Sequence, residues 1–189
     1  MRIISGICRG RKLFSPKGRD IRPTADRIRE SVFNILEPRP KNALVLDLFA
    51  GTGALGLEAL SRGAAHAVFV DMSAASCSIV QQNIDHCRFS EKSRVFRRDI
   101  FKQALPLSVT ASSFDLIFMD PPYHKNHVKT LVETYQISAL LTDGGMIVAE
   151  HAAKEILPDI LNGLDIFQQK KYSGTTVSFL TRTQDPARG

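Results

Sequence analysis

Carboxylate side chains accompany the first three apolar, strand-like runs of the sequence. Asp47 lies in the run 43–48, Asp71 ends the run 67–71 and Asp99 ends the run 94–99. Because parallel strands bind ligands at their carboxyl ends, we expect these three carboxylates to ring one pocket. Such a pocket attracts a cationic ligand and repels a pyrophosphate.

A glycine-rich turn follows the first of these runs. Residues 51–56 read Gly-Thr-Gly-Ala-Leu-Gly, and Asp71 follows about 20 residues later, as in the dinucleotide-binding fingerprint. An NAD-dependent dehydrogenase is therefore one alternative. However, Asp47 would repel a pyrophosphate, whereas S-adenosylmethionine has no phosphate, carries a sulfonium and an ammonium, and offers hydroxyl and amine donors to the other two acids.

The sequence therefore favours S-adenosylmethionine as the cofactor, with S-adenosylhomocysteine as its product, over NAD. The predicted cofactor-binding residues are Asp47, Phe49, Ala50, Gly51, Thr52, Gly53, Asp71, Met72, Asp99 and Ile100.

The fourth apolar run, 114–120, leads into Asp120-Pro121-Pro122-Tyr123. Two prolines fix φ and remove two N–H donors, which leaves carbonyl oxygens and the carboxylate as acceptors. Such acceptors suit an exocyclic amine whose lone pair must face a methyl donor, and Tyr123 offers a stacking surface for the base. These four residues are the predicted catalytic residues.

The positive charge is concentrated at the N-terminus. The chain of 189 residues has a net charge of +6, but residues 1–41 contain eleven Lys or Arg against four acids, and the rest contains fourteen against fifteen. This distribution is typical of a polyanion-binding extension on a neutral body. A noncatalytic RNA-binding module would share the extension but has no use for the acids of the predicted pocket.

Pro23 divides this N-terminal region. Before it, short apolar runs broken by Gly and Pro predict a basic hairpin or irregular loop. After it, Thr24 is predicted to cap a helix whose apolar residues, Ile28, Val32, Ile35 and Leu36, fall on one face. Arg27 and Arg29 are predicted to lie away from that face. The predicted RNA-binding residues are Arg9, Arg11, Lys12, Arg22, Thr24, Arg27 and Arg29.

From residue 43 onward, strand and helix patterns alternate. Further strands are predicted at 145–150, 165–171 and 175–181, and helices at 54–62, 73–87 and 125–141, with 81–83 on a solvated face. The pattern predicts an α/β, Rossmann-like, doubly wound sheet of seven mostly parallel strands whose C-terminal strands are antiparallel. We expect an extension at 1–41, a catalytic domain at 42–183 and a frayed tail at 184–189.

Several classes of protein are disfavoured by the composition. Three cysteines without a CxxC pair argue against a disulfide framework or a zinc site, and the histidines lack partner ligands, so no metal is expected. The sequence has no signal-peptide pattern and no long apolar run. We expect a cytoplasmic monomer that does not bind membranes.

These motifs resemble those of a known family, the bacterial RsmD-type methyltransferases that modify guanine N2 in small-subunit (16S) rRNA. The resemblance covers nearly the whole chain, and its discriminating part is the N-terminal region. It is carried by Gly10-Arg11-Lys12-Leu13, Pro16, Gly18, residues 22–30, Phe33-Asn34-Ile35-Leu36, residues 47–59 and Asp120-Pro121-Pro122-Tyr123.

The resemblance implies that Asp71 binds the ribose hydroxyls of the donor and that Asp99 lies at its adenine. It also implies that Asp120 and Pro122 hold a flipped guanine, and that the substrate is 16S rRNA within an assembled or assembling small subunit. Residues 172–175 are only similar to the ending that is usual in the family. A DNA or RNA adenine-N6 methyltransferase would use the same Asp-Pro-Pro-Tyr sequence and remains an alternative.

Overall fold

The computed structural model describes residues 1–16, 23–122, 126–134, 137–158 and 160–183, with only the backbone at 23–25, 134 and 160. Within these ranges the helices are α1 (Pro23–Leu36), α2 (Ala54–Ser61), α3 (Ala74–Cys87), α4 (Leu107–Thr110) and α5 (His127–Thr134). The strands are β1 (Leu44–Leu48), β2 (His66–Asp71), β3 (Ser93–Arg97), β4 (Phe114–Met119), β5 (Leu141–Ala152), β6 (Ile160–Leu161), β7 (Leu164–Tyr172) and β8 (Thr175–Arg182).

The strands form one mixed sheet in the order β3-β2-β1-β4-β5-β8-β7-β6. Strands β1 to β5 run parallel, while β8 is antiparallel to both β5 and β7. The predicted doubly wound sheet is therefore confirmed, and all seven predicted strands are present. The described residues add the two-residue strand β6 at the edge, which is too short to produce a periodic pattern.

The prediction of one helix over 125–141 is wrong at its C-terminal end. Helix α5 ends at Thr134, a 3₁₀-helix covers Ile137–Leu140, and Leu141 already belongs to β5, where it pairs with Phe114. The run of apolar residues alone does not distinguish a helix from a buried strand, and the pairing with β4 decides.

Two apolar layers cover the two faces of the sheet. Alternate residues of β1 point to opposite faces, as expected for a strand: Val45 belongs to one buried cluster and Leu46 to the other. The first cluster joins the N-terminal residues with α1, α2 and α3, and the second contains α4 and α5. The ends of the central strands are thereby held rigidly between two packed layers.

The N-terminal residues fold back on themselves as a hairpin, one of the two forms that the sequence left open. An antiparallel bridge joins Arg2 to Lys12, and the backbone N–H of Ile3 donates to the Arg11 carbonyl. The buried side chains of Ile3 and Leu13 share one cluster with the sheet. The basic hairpin is therefore packed against the α/β body.

Candidate active site

The order of strands reverses between β1 and β4, and a cavity of about 470 Å³ opens at their carboxyl ends. This is the position at which doubly wound sheets bind ligands. We call it the acidic cavity, because it is lined by three carboxylic acids, Asp47, Asp120 and Glu150. Its other walls come from the β1–α2 loop, the start of β8, helix α1 and the N-terminal segment.

A second, smaller cavity adjoins the acidic cavity, and both are lined by Phe49. This side cleft contains Asp71 and Asp99 together with apolar side chains. Of the three predicted carboxylates, Asp47 lines the acidic cavity, and Asp71 and Asp99 line the adjoining side cleft.

Asp47 is 2% exposed, and its Oδ2 accepts a hydrogen bond of 2.9 Å from the Gly56 N–H. Burial raises the pKa of this carboxyl to about 7; the Gly56 bond opposes the shift and the nearby Asp71 adds to it. A Cβ at Gly56 would collide with the Phe69 ring. Glycine at this position therefore allows α2 to pack closely enough for its backbone to reach Asp47.

The β1–α2 loop has a tight backbone conformation that is held by Asp71. Phe49, Gly51 and Gly53 have φ of 63°, 58° and 76°, in the left-handed region that glycine adopts most readily. One carboxylate oxygen of Asp71 accepts from the Gly51 N–H at 2.9 Å, and the other accepts from the Ser73 N–H at 2.8 Å. The loop and the end of β2 are therefore fixed relative to each other.

Asp99 follows β3 at a distance of two residues. Its Oδ1 accepts from the Phe101 N–H at 3.1 Å, and its Oδ2 lies 3.7 Å from the Lys102 ammonium. Ile100, which is buried, and Met72, which is 59% exposed, line the same side cleft. The side cleft thus combines apolar surfaces with two carboxylates whose positions are set by backbone donors.

Asp120 follows β4 directly and faces the acidic cavity, through which it is accessible to solvent. Pro121 is buried and Pro122 is exposed, while Tyr123 lies outside the described residues. The protein around the cavity desolvates the Asp120 carboxyl, and the charges of Glu150 and then Asp47 also raise its pKa to about 8.

Glu150 is a candidate functional residue that the sequence reasoning missed. It lies in β5 and lines the acidic cavity beside the end of β4, where its charge acts on Asp120. The rule that selected Asp120, an acid at the end of an apolar strand, also applies to Glu150, since the predicted strand 145–150 ends there. Thr52, also at this cavity, was predicted as part of the donor loop.

The N-terminal region forms one wall of the acidic cavity. Met1, Pro16, Ile28 and Val32 all line it. The region with the basic excess therefore also shapes the cavity itself, which its charge did not indicate.

Asn83 links this wall to the β1–α2 loop, and its predicted solvated position is wrong. The residue is fully buried. Its amide donates to the carbonyls of Phe14 and Thr52 at 3.0 and 2.9 Å, and its oxygen accepts from the Phe14 N–H at 2.7 Å. The neighbouring Gln81 and Gln82 are exposed as predicted.

The prediction that Arg29 lies away from the apolar face of its helix is also wrong. Its side chain is 4% exposed, and its guanidinium donates to Asp26 at 3.0 Å and to the Arg2 carbonyl. It also lies 3.8 Å from Glu58, which is itself fully buried. The buried stripe of α1 includes Phe33, four residues after Arg29, and this places Arg29 on the buried side of the helix.

Glu58 ties the hairpin to the body. Its carboxylate accepts from the backbone N–H groups of Ile4 and Ser5 at 2.7 and 2.9 Å, and from Arg62 Nε at 2.9 Å. A buried carboxylate with these donors and the Arg29 guanidinium is paired, as a buried charge must be. Arg29 is therefore part of a structural network.

The other predicted RNA-binding residues differ in exposure. Arg9, Lys12 and Arg27 are exposed, whereas Arg11 is half-buried and donates to the His86 carbonyl. Arg22 lies outside the described residues, and Thr24 has only its backbone described. Helix α1 begins at Pro23, a favoured residue for the first helical turn, so Thr24 lies within the helix rather than capping it.

Among the described residues, no three or more His, Cys, Asp or Glu side chains are arranged to hold a metal ion. None of the helices in the described ranges has the length and apolar character needed to cross a bilayer.

Comparison with known proteins identifies the family. The profile of the family described as conserved hypothetical protein 95 matches residues 1–181. YlbH of Bacillus subtilis strain 168 is 37% identical over 181 residues, covering 94% of this chain and 97% of YlbH. Ribosomal RNA small subunit methyltransferase D of Escherichia coli K12 is 34% identical over 170 residues, covering 90% and 84% of the two chains.

A solved structure agrees with these sequence matches. That of yhhF from Escherichia coli superimposes with a TM-score of 0.82 at 32% identity, covering 98% of this chain and 99% of the other. The similarity extends from the N-terminal hairpin region through the sheet, as the matched residues do. The chain therefore belongs to the RsmD-type family of rRNA methyltransferases.

Proposed function

We propose that this protein transfers a methyl group from S-adenosylmethionine to the exocyclic N2 of a guanine in small-subunit (16S) rRNA. The observation that carries the proposal is that Asp120, directly before two prolines, faces the same cavity as the glycine-rich β1–α2 loop. The name of the Escherichia coli relative, a small subunit rRNA methyltransferase, supports rRNA as the substrate.

The residues present fit this methyl donor. The side cleft offers Asp71 and Asp99 as acceptors for ribose hydroxyls and an adenine amine, and Ile100 as an apolar wall. The adjoining acidic cavity offers negative charge where the two cavities meet at Phe49. When bound, S-adenosylmethionine supplies an electrophilic methyl group on a positively charged sulfur, which nearby carboxylates stabilise.

Asp120 and the Pro122 carbonyl hold the amine of the target base. Two acceptors that take the N–H groups leave the nitrogen lone pair free to face the methyl group, so orientation supplies much of the catalysis. The Asp120 carboxylate then accepts the proton that the amine releases after methyl transfer. The flipped base stacks on Tyr123, which offsets part of an unstacking cost of a few kcal/mol.

The exposed basic side chains of the hairpin and of α1 bind the rRNA phosphates in this proposal. Arg9, Lys12 and Arg27 are exposed, and Arg22 and Thr24 join them on the basis of the sequence. Residues 1–41 thus act as an RNA-binding extension to a catalytic domain at 42–183. We propose that the protein works as a cytoplasmic monomer on an assembled or assembling small subunit.

A methylation assay tests the proposal. Tritiated S-adenosylmethionine is offered with unmodified small ribosomal subunits, free 16S rRNA and duplex DNA, and the labelled nucleosides are separated. We expect N2-methylguanosine from small-subunit rRNA. N6-methyladenosine would instead support the alternative adenine methyltransferase, and the absence of label in all three substrates would overturn methyl transfer to nucleic acid.

A further inference from the structure

We propose that Glu150 selects guanine over adenine by accepting a hydrogen bond from guanine N1–H while Asp120 holds the N2 amine. This inference rests on the proposed function, and it assigns the recognition of the base to a side chain outside the Asp-Pro-Pro-Tyr sequence.

The two carboxylates lie on adjacent strands at corresponding heights. Strands β4 and β5 are parallel, and Met119 pairs with Ala149, so Asp120 and Glu150 each follow one member of that pair. Neighbouring strands lie about 4.8 Å apart. Both side chains line the acidic cavity. A flat base that places one edge along the sheet end can therefore meet both carboxylates.

Guanine has an edge that suits two neighbouring carboxylates. Its Watson–Crick edge carries N1–H next to one N–H of the N2 amine, so two donors point to the same side, and the second N–H of the amine points to the minor-groove side. Adenine instead places a lone pair at N1 beside its N6 amine. If the adenine amine were held by Asp120, its N1 lone pair would face the Glu150 carboxylate, and two acceptors repel each other.

The charge of Glu150 increases this discrimination. Glu150 lines the same cavity as Asp120, and a carboxylate can accept several hydrogen bonds. Guanine N1–H adds a charge-assisted hydrogen bond, which is stronger than a bond between neutral groups, whereas a lone pair in the same place is repelled.

The test uses a base that retains the reacting N2 amine but has a hydrogen-bond acceptor at N1 where guanine has a donor. Small subunits are reconstituted from ligated 16S rRNA that carries either guanosine or 2,6-diaminopurine at the nucleotide which the wild-type protein methylates. Diaminopurine keeps the N2 amine and presents a lone pair at N1. Glu150→Gln is the main variant, since its amide can donate to that lone pair. Asp143→Asn is the matched control, because Asp143 lies on the same strand with a side chain that is 88% exposed.

We expect the wild type and Asp143→Asn to prefer guanosine by at least about 100-fold in kcat/KM. For Glu150→Gln, kcat/KM on the guanosine substrate should fall by at least about tenfold, and the preference for guanosine over diaminopurine should shrink to within about fivefold. Filter binding of the guanosine-containing and the diaminopurine-containing small subunits, with S-adenosylhomocysteine present, should show the same smaller difference in affinity for Glu150→Gln. The affinity of this variant for S-adenosylhomocysteine alone should stay within about threefold of the wild-type value. Glu150→Asp, which keeps the carboxylate, should retain the preference.

Two results would overturn the role of Glu150. One is a wild-type protein that methylates both bases equally well, which decides the matter even if the Gln variant does not fold. The other is a folded Glu150→Gln variant with the wild-type preference. Failure of the proposed function has a different signature, since the wild type would then yield no N2-methylguanosine from unmodified subunits.

Discussion

The acidic cavity and the side cleft meet at Phe49, yet they hold their carboxylates in different ways. In the side cleft, Asp71 accepts two backbone N–H bonds and Asp99 accepts one. In the acidic cavity, burial raises the pKa values of Asp47 and Asp120, and further contributions come from the charge of Asp71 on Asp47 and from the charges of Glu150 and Asp47 on Asp120. One region is thus prearranged for neutral hydrogen-bond donors, and the other gains stability when positive charge or an N–H donor enters it.

In the proposed function, the two regions have different roles. The acceptors of the side cleft position the methyl donor without changing their protonation. The carboxylates of the acidic cavity, whose pKa values are raised, respond to the charge of the sulfonium and to the proton that the reaction releases. Four experiments separate the two regions and the network that supports them.

The largest effect is expected for Asp120→Asn. The amide keeps the size of the side chain and one acceptor oxygen, but it replaces the other oxygen with a donor and cannot accept the proton that the amine releases. We expect kcat for rRNA methylation to fall by at least about 1000-fold, measured with tritiated donor. Affinity for S-adenosylhomocysteine should stay within about threefold by calorimetry, and a variant with near wild-type turnover would contradict the role of Asp120.

Asp71→Ala should act on the side cleft instead. It removes an acceptor for the ribose and releases the N–H groups of Gly51 and Ser73, so we expect S-adenosylhomocysteine to bind about 100-fold more weakly. Affinity for small subunits in a filter assay should remain near the wild-type value. Equal loss of both affinities would show that the two regions are not separable.

Two neighbouring arginines of α1 should give opposite phenotypes. Arg29→Ala leaves Glu58 buried without its guanidinium neighbour, and we expect the free energy of unfolding to fall by about 3 kcal/mol, measured by urea denaturation. Arg27→Ala removes an exposed charge, so stability should change little while subunit affinity drops a few-fold and its dependence on salt decreases. The same phenotype from both variants would contradict a structural role for Arg29 and an RNA-binding role for Arg27.

The smallest effect is expected for the pH dependence of the affinity for S-adenosylmethionine relative to that for S-adenosylhomocysteine. Raised pKa values mean that Asp47 and Asp120 stabilise the folded protein in their protonated forms, and this contribution is lost as pH rises through about 7 for Asp47 and about 8 for Asp120. The ionised acids then favour the sulfonium over the neutral thioether. Between pH 6 and 8.5, the affinity for S-adenosylmethionine relative to S-adenosylhomocysteine should rise by about fivefold.

Calorimetry at several pH values with both ligands checks this dependence, because the amino group that they share cancels in the ratio. In Asp120→Asn the rise should be smaller. A ratio that does not change with pH would show that the cavity carboxylates do not act on the sulfur charge.

The sequence predicted the elements of the site better than their environments. The strand ending at Asp71, the glycine turn and the Asp120 loop follow from local apolar periodicity and from residues with special backbone conformations. Glu150 also lies at the end of a predicted apolar strand, so the rule that selected Asp120 applied to it as well, and it was overlooked. The 3₁₀-helix at Ile137–Leu140 could not be separated from α5 by pattern, because the pairing of Leu141 with β4 ends the helix.

By itself, the sequence determined the doubly wound fold, the edge of the sheet at which the two cavities open, and the four aspartates that line these cavities, since all three depend on short-range periodicity. Only the tertiary structure decided which acids share a cavity, that Arg29 is buried against Glu58, and that Asn83 joins the hairpin to the β1–α2 loop. Those properties depend on strand order and on contacts between residues far apart in the chain. A local pattern contains no information about such partners, and burial and electrostatic environment follow from them.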